Sequence, residues 1–215
     1  MQPLAAIRKW LQKPVPFEHT GKYLIPGAAL LDVGCGSKAP YSTLEHYPLI
    51  RYSGIDYSDI DGKNAMENFF KCDIDNNPLV EIPDNYYDVI SLSHIIEHVQ
   101  HGGYLIQALV KKLKPGGVIY IETPSEKSMH LPSWYGTLNF YDDPTHKRLY
   151  SLKEIETVLK EQECIVLRSG VRRSFKRIVL SPLYILLSLF RDGKINAATL
   201  WDIVGFAHYT LAKKT

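Results

Sequence analysis

Short apolar, β-branched runs alternate along this chain with longer stretches of helical period, the pattern of βαβ units wound around a parallel sheet. Ala28–Val33 predicts a buried strand running into Gly34-Cys35-Gly36, and Tyr41–Tyr47 a short helix behind Pro40. Tyr52–Asp56 and Phe69–Asp73 read as strands two and three. Tyr87–Leu92 is the fourth, followed by a helix to about Leu113. Lys114-Pro115-Gly116-Gly117 then turns the chain into a fifth strand, Val118–Glu122. Ahead of all these, Leu4–Leu11 has the spacing of an amphipathic helix, stopped by Pro14 and Pro16. Glu126–Pro144, rich in aromatics and prolines, reads as an irregular lid or substrate loop. Ser151, with Glu154 three residues on, is a capping box that opens a helix to about Gln162. Cys164–Val171 and Gly205–Ala212 supply the last two strands, and the helical region of about 175–204 is inserted between them. The expectation is one α/β domain over residues 1–215, with seven strands and helices on both faces.

Composition narrows the function classes. A formal charge of +2 is too small to mark a nucleic-acid binder. Cys35, Cys72 and Cys164 form no CxxC pair, so neither a disulfide framework nor a thiolate metal site is expected. Met1–Thr20 has basic residues but no apolar signal core, and the chain is read as a cytoplasmic protein. Ile178–Phe190 is almost wholly apolar yet shorter than the roughly 20 residues that span a bilayer, so it is not a transmembrane helix. Arg172, Arg173, Lys176 and Arg177 precede it and Arg191 follows, so the 172–191 region could touch a membrane surface peripherally. A buried helix with solvated flanks accounts for the same pattern and is the preferred reading.

Chemistry enters at Gly34-Cys35-Gly36-Ser37-Lys38-Ala39, a GxGxxG/A turn after a strand, with Asp56 about 20 residues on where an acid meets a ribose. That turn alone serves NAD(P), FAD and S-adenosylmethionine (SAM) equally, and an NAD(P)-type protein is the alternative. Asp32 separates them. A carboxylate at the strand end suits a ligand carrying an ammonium and a sulfonium, and suits a pyrophosphate poorly. His94-Ile95-Ile96-Glu97-His98 also spells HxxEH; on a helix the two histidines would share a face and could hold zinc, with Glu97 as the base of a metallopeptidase. No third ligand is identifiable, so no metal is expected.

Leu30-Leu31-Asp32-Val33-Gly34-Cys35-Gly36 resembles the first motif of class I SAM-dependent methyltransferases. Ser53-Gly54-Ile55-Asp56, Lys71-Cys72-Asp73-Ile74, Tyr87-Asp88-Val89-Ile90 with Ile96-Glu97-His98-Val99, and Leu113-Lys114-Pro115-Gly116-Gly117 are similar to the later motifs of the ubiquinone-biosynthesis-like branch, in the same order. The resemblance implies a Rossmann-like, mostly parallel sheet whose last strand is antiparallel. It also implies SAM as cofactor, with S-adenosylhomocysteine as product. Its cofactor set here would be Asp32, Gly34, Cys35, Gly36, Asp56, Tyr57, Asp73, Ile74 and Ser93, with Asp56 on the ribose and Asp73 and Ile74 at the adenine.

Asp142-Asp143-Pro144-Thr145-His146 is similar to a DPTH segment of small bacterial methyltransferases, several of them associated with glycan synthesis. The acceptor expected is therefore a small molecule or a glycan, O-methylated, and not a nucleic acid. His146 is the first choice as general base, since an imidazole titrates near neutrality, and Asp143 is its alternative or its orienting partner. Pro144 and Asp143 would equally serve a purely structural turn. Tyr135, Phe140 and Tyr141 are expected on the acceptor side. The sequence does not set the oligomeric state.

Overall fold

The computed structural model describes residues 14–77 and 79–215; the Leu4–Leu11 helix expected from sequence lies outside them. Seven strands form one sheet: β1 (Ala29–Val33), β2 (Arg51–Asp56), β3 (Asn68–Lys71), β4 (Tyr87–Ser93), β5 (Leu113–Pro124), β6 (Cys164–Val171) and β7 (Ala207–Lys214). Their spatial order is β3-β2-β1-β4-β5-β7-β6, and β7 runs antiparallel to both of its neighbours. The helices are α1 (Pro16–Thr20), α2 (Ala39–His46), α3 (Gly102–Lys112), α4 (Leu152–Glu161), α5 (Phe175–Asp192) and α6 (Trp201–Val204).

Residues of period two divide the sheet between two cores. Leu31, Val33, Ile90, Leu92, Ile119 and Ile121 face one side, where Leu105, Ile106 and Leu109 of α3 and Ile155 and Leu159 of α4 cover them. Leu30, Val89, Val118 and Tyr120 face the other, against Phe17 of α1 and Leu44 of α2. Strands buried on both faces need near-continuous apolar runs, which is what β1, β4 and β5 carry. Strand order reverses between β1 and β4, so the crevice at their carboxyl ends is where this architecture places a ligand.

Three local expectations are corrected. The segment after β4 is not a continuous helix: His94 takes a left-handed φ of 56°, Ile96–His98 forms a 3-10 turn, and α3 begins only at Gly102. The Lys114–Gly117 turn lies inside β5, as an irregular stretch where the register against β4 shifts between Tyr87 and Val89. Asp73 falls beyond β3, in a turn where its carboxylate accepts from Asp75 N and Asn76 Nδ2. The Ser151 cap does form, accepting from Glu154 N at 3.2 Å.

Candidate active site

The turn after β1 is built by backbone constraints. Gly34 and Gly36 both have positive φ, 73° and 54°. A Cβ on Gly34 would lie 1.9 Å from Ile95 Cδ1, so only glycine lets the β4 side of the crevice close on the turn. Gly34 N and Cys35 N donate to Ile55 O, while Gly36 N donates to Asp56 Oδ2 at 2.9 Å. Asp56 also accepts from Ser58 N through Oδ1, which fixes its carboxylate at the end of β2. The Cys35 thiol turns inward to the core and lines neither crevice cavity, and burial pushes it up to about 12.

Two cavities meet at Gly34. One, about 510 Å³, is lined by Asp56, Tyr57, Asp73, Ile74, His98 and Thr145 among others. The second, about 390 Å³, is lined by Asp32, Lys38, Ser91 and Ser93, with Phe17 of α1. Both lie within the size range of small-molecule sites. Of the residues expected at the cofactor, Asp32, Gly34, Asp56, Tyr57, Asp73, Ile74 and Ser93 therefore face one crevice. Asp32 accepts from Tyr52 Oη at 2.6 Å. Burial, with Asp56 adding to it and the Tyr52 hydrogen bond opposing, lifts its carboxyl to about 6. A buried carboxyl raised in this way gains from a cationic neighbour, which favours its ionised form.

The wall beyond Gly34 is a buried charge network absent from the sequence reading. His94 Nδ1 donates to Glu97 Oε1 at 3.2 Å and Nε2 donates to Glu122 Oε1 at 3.0 Å. Two carboxylate partners require both ring nitrogens to donate, which only the imidazolium can do. Burial opposes that charge, but Glu122 and Glu97 overcome it and raise the pKa to about 9. Glu97 is fixed on its other oxygen by Thr123 Oγ1, and Glu122 by Tyr120 Oη. Arg172 lies 3.3 Å from Glu122 through Nε and 3.2 Å from Asp202 through Nη1, and Arg177 Nε reaches Asp202 at 3.1 Å. Three cations thus meet three carboxylates, and Trp201 packs on the His94 ring at 4.9 Å.

This geometry overturns the HxxEH reading. His94 and His98 do not share a helical face, and both nitrogens of His94 are taken. A different trio, Glu97, His98 and His146, brings three ligand-type atoms within 4.8 Å of one another and could hold a divalent cation.

The DPTH segment packs onto the same wall. Lys147 N and Arg148 N donate to Glu97 O, and Lys147 Nζ reaches Asp75 at 2.6 Å across the crevice rim. Asp143 accepts from Thr145 N and Oγ1, and Thr145 Oγ1 meets His98 Nδ1 at 3.0 Å. His146 Nδ1 donates to Phe140 O at 2.6 Å, leaving Nε2 as the basic atom, 3.9 Å from Asp143 Oδ2. Its side chain is only 5% exposed, stacked on buried Phe140. Tyr135 and Tyr141 stand exposed on the outer side.

Against known sequences, residues 6–168 match a family described as a methyltransferase domain. The chain belongs to the methyltransferase-domain family. Membership, together with Asp32, decides against the dinucleotide-binding alternative. Among curated proteins, the methyltransferase domain is 30% identical over 145 residues to phosphoethanolamine N-methyltransferase of Triticum aestivum, covering 62% of this chain and 26% of that one. It is 26% identical over 99 residues to 27-O-demethylrifamycin SV methyltransferase of Amycolatopsis mediterranei (strain S699), covering 42% of this chain and 36% of that one. The chain thus spans about a third or less of the length of these two relatives. A solved SAM-dependent methyltransferase from Archaeoglobus fulgidus shares the fold, with TM-score 0.59 and 20% identity over 96% of this chain and 94% of that one. SAM is the cofactor this family implies, and the chemistry of the crevice fits it: two cavities adjoin at Gly34, with Asp32 lining one and Asp56 and Asp73 the other, acids suited to a cationic, ribose-bearing ligand.

Proposed function

We propose that the chain, acting as a single methyltransferase domain over residues 1–215, transfers a methyl group from SAM to a hydroxyl of a small-molecule or glycan acceptor. The observation that carries the reading is the pair Asp32 and Asp56 on either side of the Gly34 turn, in cavities that adjoin there. Asp32 and Ser93 would hold the amino-acid end of the donor, Asp56 the ribose hydroxyls, and Tyr57, Asp73 and Ile74 the adenine. Cys35 contributes backbone to the turn. When bound, SAM supplies a methyl carbon already activated by its sulfonium. The protein then has to align the acceptor and receive its proton. His146, with Asp143 beside it, is the proposed proton acceptor, through the Nε2 that its bond to Phe140 O leaves free.

Calorimetry with S-adenosylhomocysteine tests the donor half. Asp56→Ala removes charge-assisted bonds of roughly 1.5–3 kcal/mol each and should weaken binding at least tenfold. Binding of NADH in preference to S-adenosylhomocysteine would refute it.

A further inference from the structure

Helix α5 is built inside out. Its buried residues are Lys176, Ser181 and Ser188, all polar, with Ser181 and Ser188 only 7% and 4% exposed. Many of its apolar residues face outward, while Ile178, Leu180 and Ile185 are half-buried. Phe175, Val179, Leu183, Leu186 and Phe190 recur at helical spacing along one side, and the two phenylalanines are 79% and 81% exposed. This corrects the buried-helix expectation. The inward polar groups are satisfied, since Ser181 Oγ donates to Ile178 O and Ser188 Oγ to Lys194 O, so the orientation is not an unmet burial. A continuous apolar face of this kind marks a surface that meets something other than water.

We propose that α5 lies in the interface of a bilayer containing anionic phospholipid, holding the protein peripherally on the membrane surface. No helix among the described residues is long and apolar enough to cross a membrane, so α5 rests on the bilayer and does not span it. Charge selects this occupant. Arg173 and Lys194, which face no carboxylate among the described residues, are exposed at the two ends of the apolar face, where a surface-lying helix places its cations. On the helix flank a cavity of about 740 Å³ is lined by Lys176, Arg177 and Arg191 beside Tyr184 and Leu187, and each of these cations already faces a carboxylate, Glu18, Asp202 and Asp192 in turn. Pro14 and Val15 line the same recess, and the thirteen residues before them carry Arg8, Lys9 and Lys13 with no acid. A second copy of the chain would set this one-signed rim against itself, because the only acid of α5, Asp192, is held by Arg191 at 2.8 Å.

The docked face lies near the acceptor side. Trp134 Nε1 donates to Ile195 O and Ala197 N to Tyr135 O, tying the loop after α5 to the aromatic lid. Resting on the methyl-transfer reading above, this favours an acceptor presented at the membrane surface.

Flotation of the full chain with vesicles of phosphatidylcholine, with and without phosphatidylglycerol, tests the proposal. The expected result is binding to the anionic vesicles, reduced by salt, and at least about tenfold weaker for Leu183→Glu and Phe190→Glu. Circular dichroism and S-adenosylhomocysteine affinity should be unchanged in both variants, so a failure of vesicle binding is distinguishable from a failure of the donor site. The proposal is overturned if both variants bind vesicles like the parent, or if the parent binds none. It is equally overturned if light scattering shows a dimer that Leu183→Glu dissociates and vesicles do not compete for.

Discussion

The charge of His94 can be read out as a pH dependence of stability. Its pKa is raised from about 6.5 in the unfolded chain to about 9 in the fold. A folded value above the unfolded one means the native state binds the extra proton. The stabilisation is fully present below about pH 6.5 and lost as pH rises through about 9. A shift of this size, at about 1.4 kcal/mol per unit, corresponds to roughly 3 kcal/mol. His94 is 23% exposed, so solvent screening takes only a minor share. At high pH the neutral ring would leave Glu97, Glu122 and Asp202 facing only Arg172 and Arg177, one charge out of balance.

Other groups titrate nearby, so the comparison is with His94→Gln. The three cysteine thiols are all raised by burial and weaken the parent and the variant alike above about pH 9. His19 and His208 are lowered by burial and act on the acid side. Urea unfolding of both proteins across pH 6.5 to 9.5 should show the parent more stable at the acid end, with the gap closing by roughly 3 kcal/mol. In melting temperature the closure is roughly 6–12 °C for a domain of this size. A gap that stays constant across that range, or an NMR titration placing His94 near 6.5, would refute the imidazolium and with it the charge-balanced network.

Three further outcomes follow from the same geometry. S-adenosylhomocysteine should bind more tightly as pH rises through about 6, because the ligand ammonium favours ionised Asp32; the slope is at most about tenfold per pH unit, and Asp32→Asn should flatten it. Gly34→Ala places a methyl on Ile95 Cδ1 at a positive φ, so it should cost about 1–2 kcal/mol of stability and weaken the same ligand; adding Ile95→Ala should restore affinity but not stability. His146→Ala should leave S-adenosylhomocysteine affinity unchanged and lower turnover by roughly 10²–10⁴-fold. Full turnover in both His146→Ala and Asp143→Ala would reduce the DPTH segment to a turn.

The glycine turn and its crevice were legible because their parts are contiguous. A strand, a glycine turn and an acid one strand later lie within Leu30–Asp56, and each is read from local chemistry. The Cys164–Val171 strand emerged with its boundaries intact for the same reason. The helix after β4 was misplaced because Ile95 and Ile96 carry a helical apolar pattern, whereas pairing of His94 with Glu122 holds the chain in a left-handed bend. That partner is 28 residues away, and Arg172 with Asp202 is 30, distances no local pattern spans. One signal was available: Glu122 directly follows the apolar run Val118–Ile121 of its strand, and a buried acid needs a cation. For α5 the sequence showed an almost wholly apolar run with basic flanks but not which side turned inward, since the usual rule puts apolar residues in.

The network also ties the segment between β6 and β7 to the crevice wall. Asp202 Oδ1 accepts from Ser174 N, the cap of α5, while Oδ2 faces Arg172. Arg172 faces Glu122, and Glu122 holds His94 at the crevice wall. The start of α5 and the crevice wall are thus set by one chain of charges, of which Arg172, Asp202 and Glu122 are buried and costly to leave unpaired. At the other end of the helix, the loop after α5 bonds to the lid at Trp134 and Tyr135, and Trp201 Nε1 donates to Thr137 O. None of these bonds touches the turn at Gly34 or the acids at Asp32 and Asp56. Substitutions on the outer face of α5 can therefore alter what reaches the lid while the donor crevice keeps its shape. A change at Asp202 reaches inward, because it frees Arg172 beside Glu122 and so disturbs the wall on which His94 stands.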